Sequence, residues 1–339
     1  MDSSSLKADQ RYCREVLPRV SRTFAINIRL LSGPLGEAVR VGYLLCRAAD
    51  ALEESWPGSP GQIRARFECF LDAIGGRRQA ADTLARQAAE VSEAQSDLEL
   101  LANLPRVWRA FAALPSELRH PVASCVNTLG AGMSRYASRA AARPPGASYL
   151  DTEEELHDYC YVVAGCVGVM LTRLLNALER PDAVLANGRE HRAPAVGEAL
   201  QLTNILLDWP SDTRRGRCYV PAAWLDEFDL TPPMLVGVER PGVSELAARL
   251  ETLARAALAR VPSYLELISR RHVRYRLFCL WPALWAKASL DHARSDPEFP
   301  WGPRRPRLPR VTLWGTAIGS VIGTPGPSAL RLTLRAQVR

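Results

Sequence analysis

Two long apolar runs in this chain end in carboxylates spaced for a single helical face. That pattern restricts the fold more than any other feature. GYLLCRAA leads into Asp50, with Glu53 and Glu54 behind it, and ALQLTNILL leads into Asp208, with Asp212 four residues on. Positions i and i+4 share a helix face, so Asp50 with Glu54, and Asp208 with Asp212, each point one way. Asn204 and Gln201 lie one and two turns upstream of Asp208. Acids four apart decorate many solvated helices, but an acid that closes an apolar run sits at the lip of a core. Two such helices can face each other across a cavity. Hard oxygen ligands of this kind suit Mg²⁺, which keeps several waters and is completed by substrate phosphates. The pattern points to a helical enzyme that ionises a diphosphate ester.

Helical signals recur along the rest of the chain, without β alternation and without an internal repeat. Ser21 to Leu31 opens a helix, and Pro34 ends it or starts the next, which runs to Glu54. Pro57, Gly58, Ser59 and Pro60 form a break, with Ser59 as N-cap and Pro60 in the first helical turn. Further helices are predicted over 61–74, 80–114 with an interruption near Pro105, and 116–141. Thr152 and Glu155 form a capping box for a helix over about 153–178. Later helices fit about 195–209, 243–269 and 271–293. Residues 1–298 read as one all-α domain around a central cavity, and 299–339 as a basic tail containing Pro and Gly.

The formal charge of +7 resides in that tail. No acid follows Glu298, while Arg304, Arg305, Arg307, Arg310, Arg331, Arg335 and Arg339 do, so the first 298 residues are neutral. Such a tail suits phosphate-bearing cofactors or an anionic membrane surface better than nucleic acid, which needs a basic face on the folded body. The eight cysteines form no CxxC pair, which fits reduced thiols in a cytoplasmic protein. The polar N-terminus has no apolar signal core.

Five blocks, in order, resemble one family: SRTFA at 21–25, YLLCRAADALEE at 43–54, YCYVVAGCVG at 159–168, QLTNILLDWPSD at 201–212, and GRCYVP at 216–221. They are similar to the trans head-to-head prenyl synthases, the squalene and phytoene synthases, over roughly residues 13–290. The resemblance implies the all-α isoprenoid-synthase fold. It implies Mg²⁺ (with Mn²⁺ as a substitute) bound with diphosphate by Asp50, Glu53, Glu54, Asp208 and Asp212. The chain leans toward the squalene branch, because LFCLWPALWAKASL matches that branch's second pocket through Phe278, Cys279 and Pro282. For that branch the expected reaction joins two farnesyl diphosphates through presqualene diphosphate and reduces the product with NADPH to squalene. The alternatives are a non-reductive phytoene or dehydrosqualene synthase, or an enzyme that stops at presqualene diphosphate. A peripheral position at a membrane surface follows from so apolar a product.

The remaining candidates take their roles from that chemistry. Arg47 and Arg217 are diphosphate donors, since guanidinium forks match phosphate oxygens; an ordinary ion pair is the other reading of each. Tyr159 matches the family's tyrosine near the departing proton or diphosphate. Ser21 and Phe24 match its SxxF element, Ser21 toward diphosphate or cofactor and Phe24 toward the carbocation or the core. Gln201 faces substrate with Asp208. Without a GxGxxG loop, any NADPH site is not of Rossmann type. Asn204 and the stretch holding Arg305, Arg307 and Arg310 are the cofactor candidates, with membrane attraction or solvation as the alternative for the arginines. Gly165 and Gly168 allow close approach of either substrate or another helix. Three departures from the family stand out: Glu54 replaces Asp, Leu207 replaces Arg, and Pro210 lies inside the second acidic motif. Proline removes the hydrogen bond to residue 206, so the helix is expected to kink or end near 209 and turn Asp212 off the shared face.

Overall fold

The computed structural model describes residues 3–91, 95–144 and 146–309, and no strand occurs among them. The all-α class is as expected. The described residues fall into two compact units, one within Met1–Arg139 and Val169–Pro181, the other within Ala140–Gly168 and Asp182–Arg339.

In the first unit, helix α1 (Ser3–Val20) lies where the sequence reading placed none. The polar opening disguises it, but Tyr12, Cys13, Val16 and Leu17 recur on one face and are buried. Ser21 caps α2 (Arg22–Ile28), its hydroxyl accepting from the Phe24 N–H at 3.2 Å. Pro34 stands in the first turn of α3 (Gly33–Glu54), where its missing N–H costs nothing. The core side of α3 buries Val41, Leu44, Leu45, Ala48 and Leu52. Ser59 and Gln62 close the expected capping box at α4 (Pro60–Ile74).

The run expected over 80–114 is three helices: α5 (Arg78–Ala89), α6 (Ser96–Ala102) and α7 (Leu104–Ala112). The break expected near Pro105 falls at Asn103, which joins the last two, and Pro105 stands in the first turn of α7. Helix α8 (Ser116–Ala141) follows as predicted. One buried charge ties α1 to α7: Asp9 accepts from Arg109 Nε and Nη2 at 2.7 and 2.9 Å and from Arg106 Nε at 3.3 Å. Burial alone raises the Asp9 pKa, but the two arginines outweigh it and hold the carboxylate ionised.

In the second unit, Thr152 caps α9 (Glu153–Cys160), while the Glu155 carboxylate accepts from the N–H of Asp151. A π-helical turn, Tyr161–Gly165, then leads into α10 (Cys166–Glu179), whose residues from Val169 on belong to the first unit. The helical run predicted from Thr152 has the right extent, but the π turn has no periodicity signal. Helix α11 (Ala183–Arg192), capped by Asp182, was not anticipated. Next come α12 (Pro194–Arg214), α13 (Ala222–Asp226), a 3₁₀ turn at Pro232–Leu235, α14 (Pro241–Glu266) and α15 (Val273–Arg294). Helix α12 is the centre of this unit, packing on α14, α15 and the π turn.

Two glycines set how closely these helices approach. A Cβ on Gly168 would collide with the Ala193 carbonyl, and one on Gly197 with the Ala164 carbonyl. Those obstacles are backbone and cannot rotate away. Gly165 also looks toward Pro194. Of the two readings for Gly165 and Gly168, helix packing is the one their surroundings match.

Pro210 does not end its helix; α12 continues to Arg214. One backbone bond is lost, yet the turn is held on both sides. Trp209 and Pro210 are buried, Trp209 Nε1 donates to the Leu235 carbonyl at 3.1 Å, and Ser211 Oγ donates to the Asp208 carbonyl at 2.8 Å. Packing outweighs the missing bond, and Asp212 stays on the helix with Asp208. Beyond Asp296 the described chain is turns and coil, as expected. Arg214 holds it by donating to the Pro303 and Gly302 carbonyls at 2.8 and 2.9 Å.

Candidate active site

Within the first unit, α3 carries a polar stripe along its accessible side: Tyr43, Arg47, Asp50 and Glu54, with Glu53 at its flank. The spacing is four, three and four residues, one helical face. Arg47 organises it. Its Nη1 lies 3.4 Å from Asp50 Oδ2 and 3.7 Å from Glu54 Oε2. Its Nε and Nη2 fork onto Asp97 of α6 at 3.1 and 2.6 Å. Burial works against the Arg47 charge, but the Asp97 hydrogen bonds and the neighbouring acids outweigh it and raise its pKa. The sequence reading named Arg47 and missed Asp97, for which nothing local in the sequence is a signal.

Asp50 is the most perturbed acid of the stripe. Burial and the negative charge of Glu54 push its carboxyl up to about 7, against the pull of Arg47, while 35% of its side chain stays open to solvent. Crowded carboxylates that repel one another at the edge of an apolar helix fit a divalent cation, which would relieve the repulsion. Above this stripe, Ser21 hydrogen-bonds the Tyr43 hydroxyl, and the Phe24 ring lies 5.8 Å from the Tyr43 ring. Burial raises the Tyr43 pKa to about 12, so its hydroxyl stays protonated. Phe24 is 37% exposed and therefore not an ordinary core residue.

Within the second unit, Gln201, Asn204, Asp208 and Asp212 are accessible positions of α12, interleaved with buried Leu202, Ile205, Leu206, Leu207 and Trp209. Leu207 is thus core. Asp208 Oδ1 pairs with Arg305 Nη1 at 2.7 Å. The anchoring of Gly302 and Pro303 by Arg214 delivers that arginine. Arg305 therefore lies on an acidic residue of the candidate metal face; Arg307 is exposed, and Arg310 lies outside the described residues. The N–H of Arg217 bonds the Asp212 carbonyl at 2.9 Å, which fastens the GRCYVP segment to the end of α12.

That segment also supplies an aromatic partner. Tyr159 stacks on Tyr219 with centroids 4.9 Å apart, and Tyr219 meets Tyr149 edge-on at 5.2 Å. Tyr219 belongs to the GRCYVP block. On α15, Phe278, Cys279 and Pro282 are buried. Burial pushes the Cys279 thiol up to about 12, so it stays neutral and acts as apolar wall.

Among the described residues no three or more His, Cys, Asp or Glu side chains form a ready-made metal cage. Each acidic helix offers its own pair of carboxylates. One or two carboxylates are the usual protein share of a Mg²⁺–phosphate site, with water and phosphate supplying the rest.

Helical bundles of this kind recur among solved structures. A TcSQS structure in complex with a ligand superposes with TM-score 0.74 at 22% identity, covering 98% of this chain and 93% of that one. A dehydrosqualene synthase in complex with a ligand gives TM-score 0.61 at 20% identity, covering 94% of this chain and 98% of that one. Both describe the fold. The squalene/phytoene synthase family profile matches residues 17–312, and this chain belongs to that family. Human squalene synthase is 28% identical over 295 residues, 86% of this chain and 65% of the human protein. The chain thus spans less than two thirds of the length of that relative.

Proposed function

We propose that this chain is a prenyltransferase that condenses two farnesyl diphosphates head to head into presqualene diphosphate, then reduces that intermediate with NADPH to squalene. The observation that carries the reading is the stripe on α3, where Asp50 is held near neutrality beside Glu54 and Arg47. Squalene synthases from human to fission yeast match most of the chain and favour the reductive branch.

Asp50 and Glu54 on one helix, and Asp208 and Asp212 on the other, would hold Mg²⁺ through carboxylate oxygens. Bound there, the ion would supply Lewis-acid neutralisation of the diphosphate oxygens as the allylic carbon–oxygen bond breaks. Asp50 would contribute as the carboxylate. Arg47 and Arg217 orient the departing diphosphate with charged N–H donors. The faces of Tyr159 and Phe24 stabilise the allylic cation by roughly 0.5–2 kcal/mol each. Phe278, Cys279 and Pro282 keep water from it. Asn204 and Arg307 are exposed donors suited to the amide and phosphates of NADPH.

The test is product analysis with farnesyl and geranylgeranyl diphosphate and Mg²⁺, with and without NADPH. Squalene formed only with NADPH is the expected result. The same hydrocarbon with or without it refutes the reductive step and points to dehydrosqualene or phytoene. No prenyl product under any condition refutes the whole reading. An association with the cytoplasmic face of a membrane belongs to the same proposal; recovery of all activity in the soluble fraction of lysed cells speaks against it.

A further inference from the structure

From the geometry of Arg47 we infer that Asp97 is a positioning residue for the metal-binding face of α3. This rests on the proposed Mg²⁺-dependent activity. The guanidinium of Arg47 has two sets of acids within reach. Toward Asp97 it makes a two-pronged contact at 3.1 and 2.6 Å. Toward Asp50 and Glu54 it reaches only 3.4 and 3.7 Å, through Nη1 alone. Asp97 itself is fixed, because Ser55 Oγ donates to its Oδ2 at 3.2 Å and its side chain is only 13% exposed.

The consequence is a division of one cation between two sets of acids. Coulomb attraction alone draws Arg47 onto Asp50 and Glu54, where it fills the place a divalent cation takes. Asp97 holds the fork from behind, so Nη1 steadies Asp50 without closing over it. Arg47 then does not close over Glu54 and the outer oxygen of Asp50, while an N–H edge remains for diphosphate. Without the Asp97 carboxylate, the same arginine moves toward α3's own acids and competes with the ion. Asp97 touches neither metal nor substrate in this scheme; it acts through Arg47.

Binding of Mn²⁺ to the purified full chain, in the presence of inorganic pyrophosphate, is followed by the loss of the free-ion electron paramagnetic resonance signal. Asp97→Asn keeps the size and the Ser55 hydrogen bond but removes the charge. It is expected to weaken Mn²⁺ binding by roughly 10–100-fold, the usual effect of losing a partner behind the ligands. Asp97→Glu, which retains the charge, is expected to recover most of that loss, which a purely structural role does not predict. Asp97→Asn binding Mn²⁺ as tightly as wild type overturns the inference. Should that variant not fold, Ser55→Ala, which removes the hydrogen bond that fixes Asp97, is expected to weaken Mn²⁺ binding severalfold, and wild-type affinity in that variant overturns the inference equally. A wild-type chain that takes up no Mn²⁺ refutes the proposed activity itself, a separate outcome.

Discussion

Replacing Asp50 with Asn should make the metal-free protein more stable and the enzyme inactive, and the two effects share one cause. Asn is the same size as Asp and cannot ionise. In the folded protein the Asp50 carboxyl is pushed from an ordinary 3.8 to about 7. Its protonated form is therefore favoured by folding, and its charged form is penalised. The penalty is absent below pH 4, grows as pH rises, and is complete above about 7. Three pKa units correspond to about 4 kcal/mol if nothing screens the charge. Asp50 keeps 35% of its side chain exposed, so solvent screens it, and about 1–2 kcal/mol is the realistic share. Urea denaturation in chelator at pH 8 and pH 4.5 measures this directly. Asp50→Asn should exceed wild type at pH 8, and the gap should shrink at pH 4.5. Mg²⁺ with pyrophosphate should stabilise wild type and leave the variant unmoved, because only a carboxylate at this position can ligate. Equal stability at pH 8, or a gap that does not depend on pH, refutes the claim that Asp50 is a strained acid awaiting a cation.

Two more outcomes follow from the second unit. Arg305→Gln removes the 2.7 Å partner of Asp208, and an exposed pair of this type contributes about 0.2–1 kcal/mol; Mn²⁺ uptake should tighten severalfold at most, whereas a rise in the KM for NADPH alone would assign Arg305 to the cofactor instead. Gly168→Ala gains about 1 kcal/mol of helix propensity but drives a Cβ into the Ala193 carbonyl. Overpacking of that kind costs about 1–3 kcal/mol, so chemical denaturation should show a net loss of about 1 kcal/mol, and a stabilised variant would contradict the close approach of α10 to the start of α12.

Much of this was legible in the sequence because it rests on local rules. Helical period fixed which residues share a face, so Asp50 with Glu54, and Gln201, Asn204, Asp208 and Asp212, lie together as spacing required. Capping chemistry placed the starts of α4 and α9 at Ser59 and Thr152. Motif order carried the family. Other features had no local signature. The partner of Arg47 is Asp97, on another helix and 50 residues along the chain, and only folding brings them together. Pro210 broke a local rule that tertiary packing of Trp209 overrode. The π turn at Tyr161–Gly165 lies where it and the start of α10 pack too closely on α12 for side chains at Gly197 and Gly168. The pKa of Asp50 depends on burial and on how many charges surround it. Sequence therefore decided which groups each helix presents; tertiary structure decided which of those groups are paired, crowded or left open, because burial and charge act through space and not along the chain.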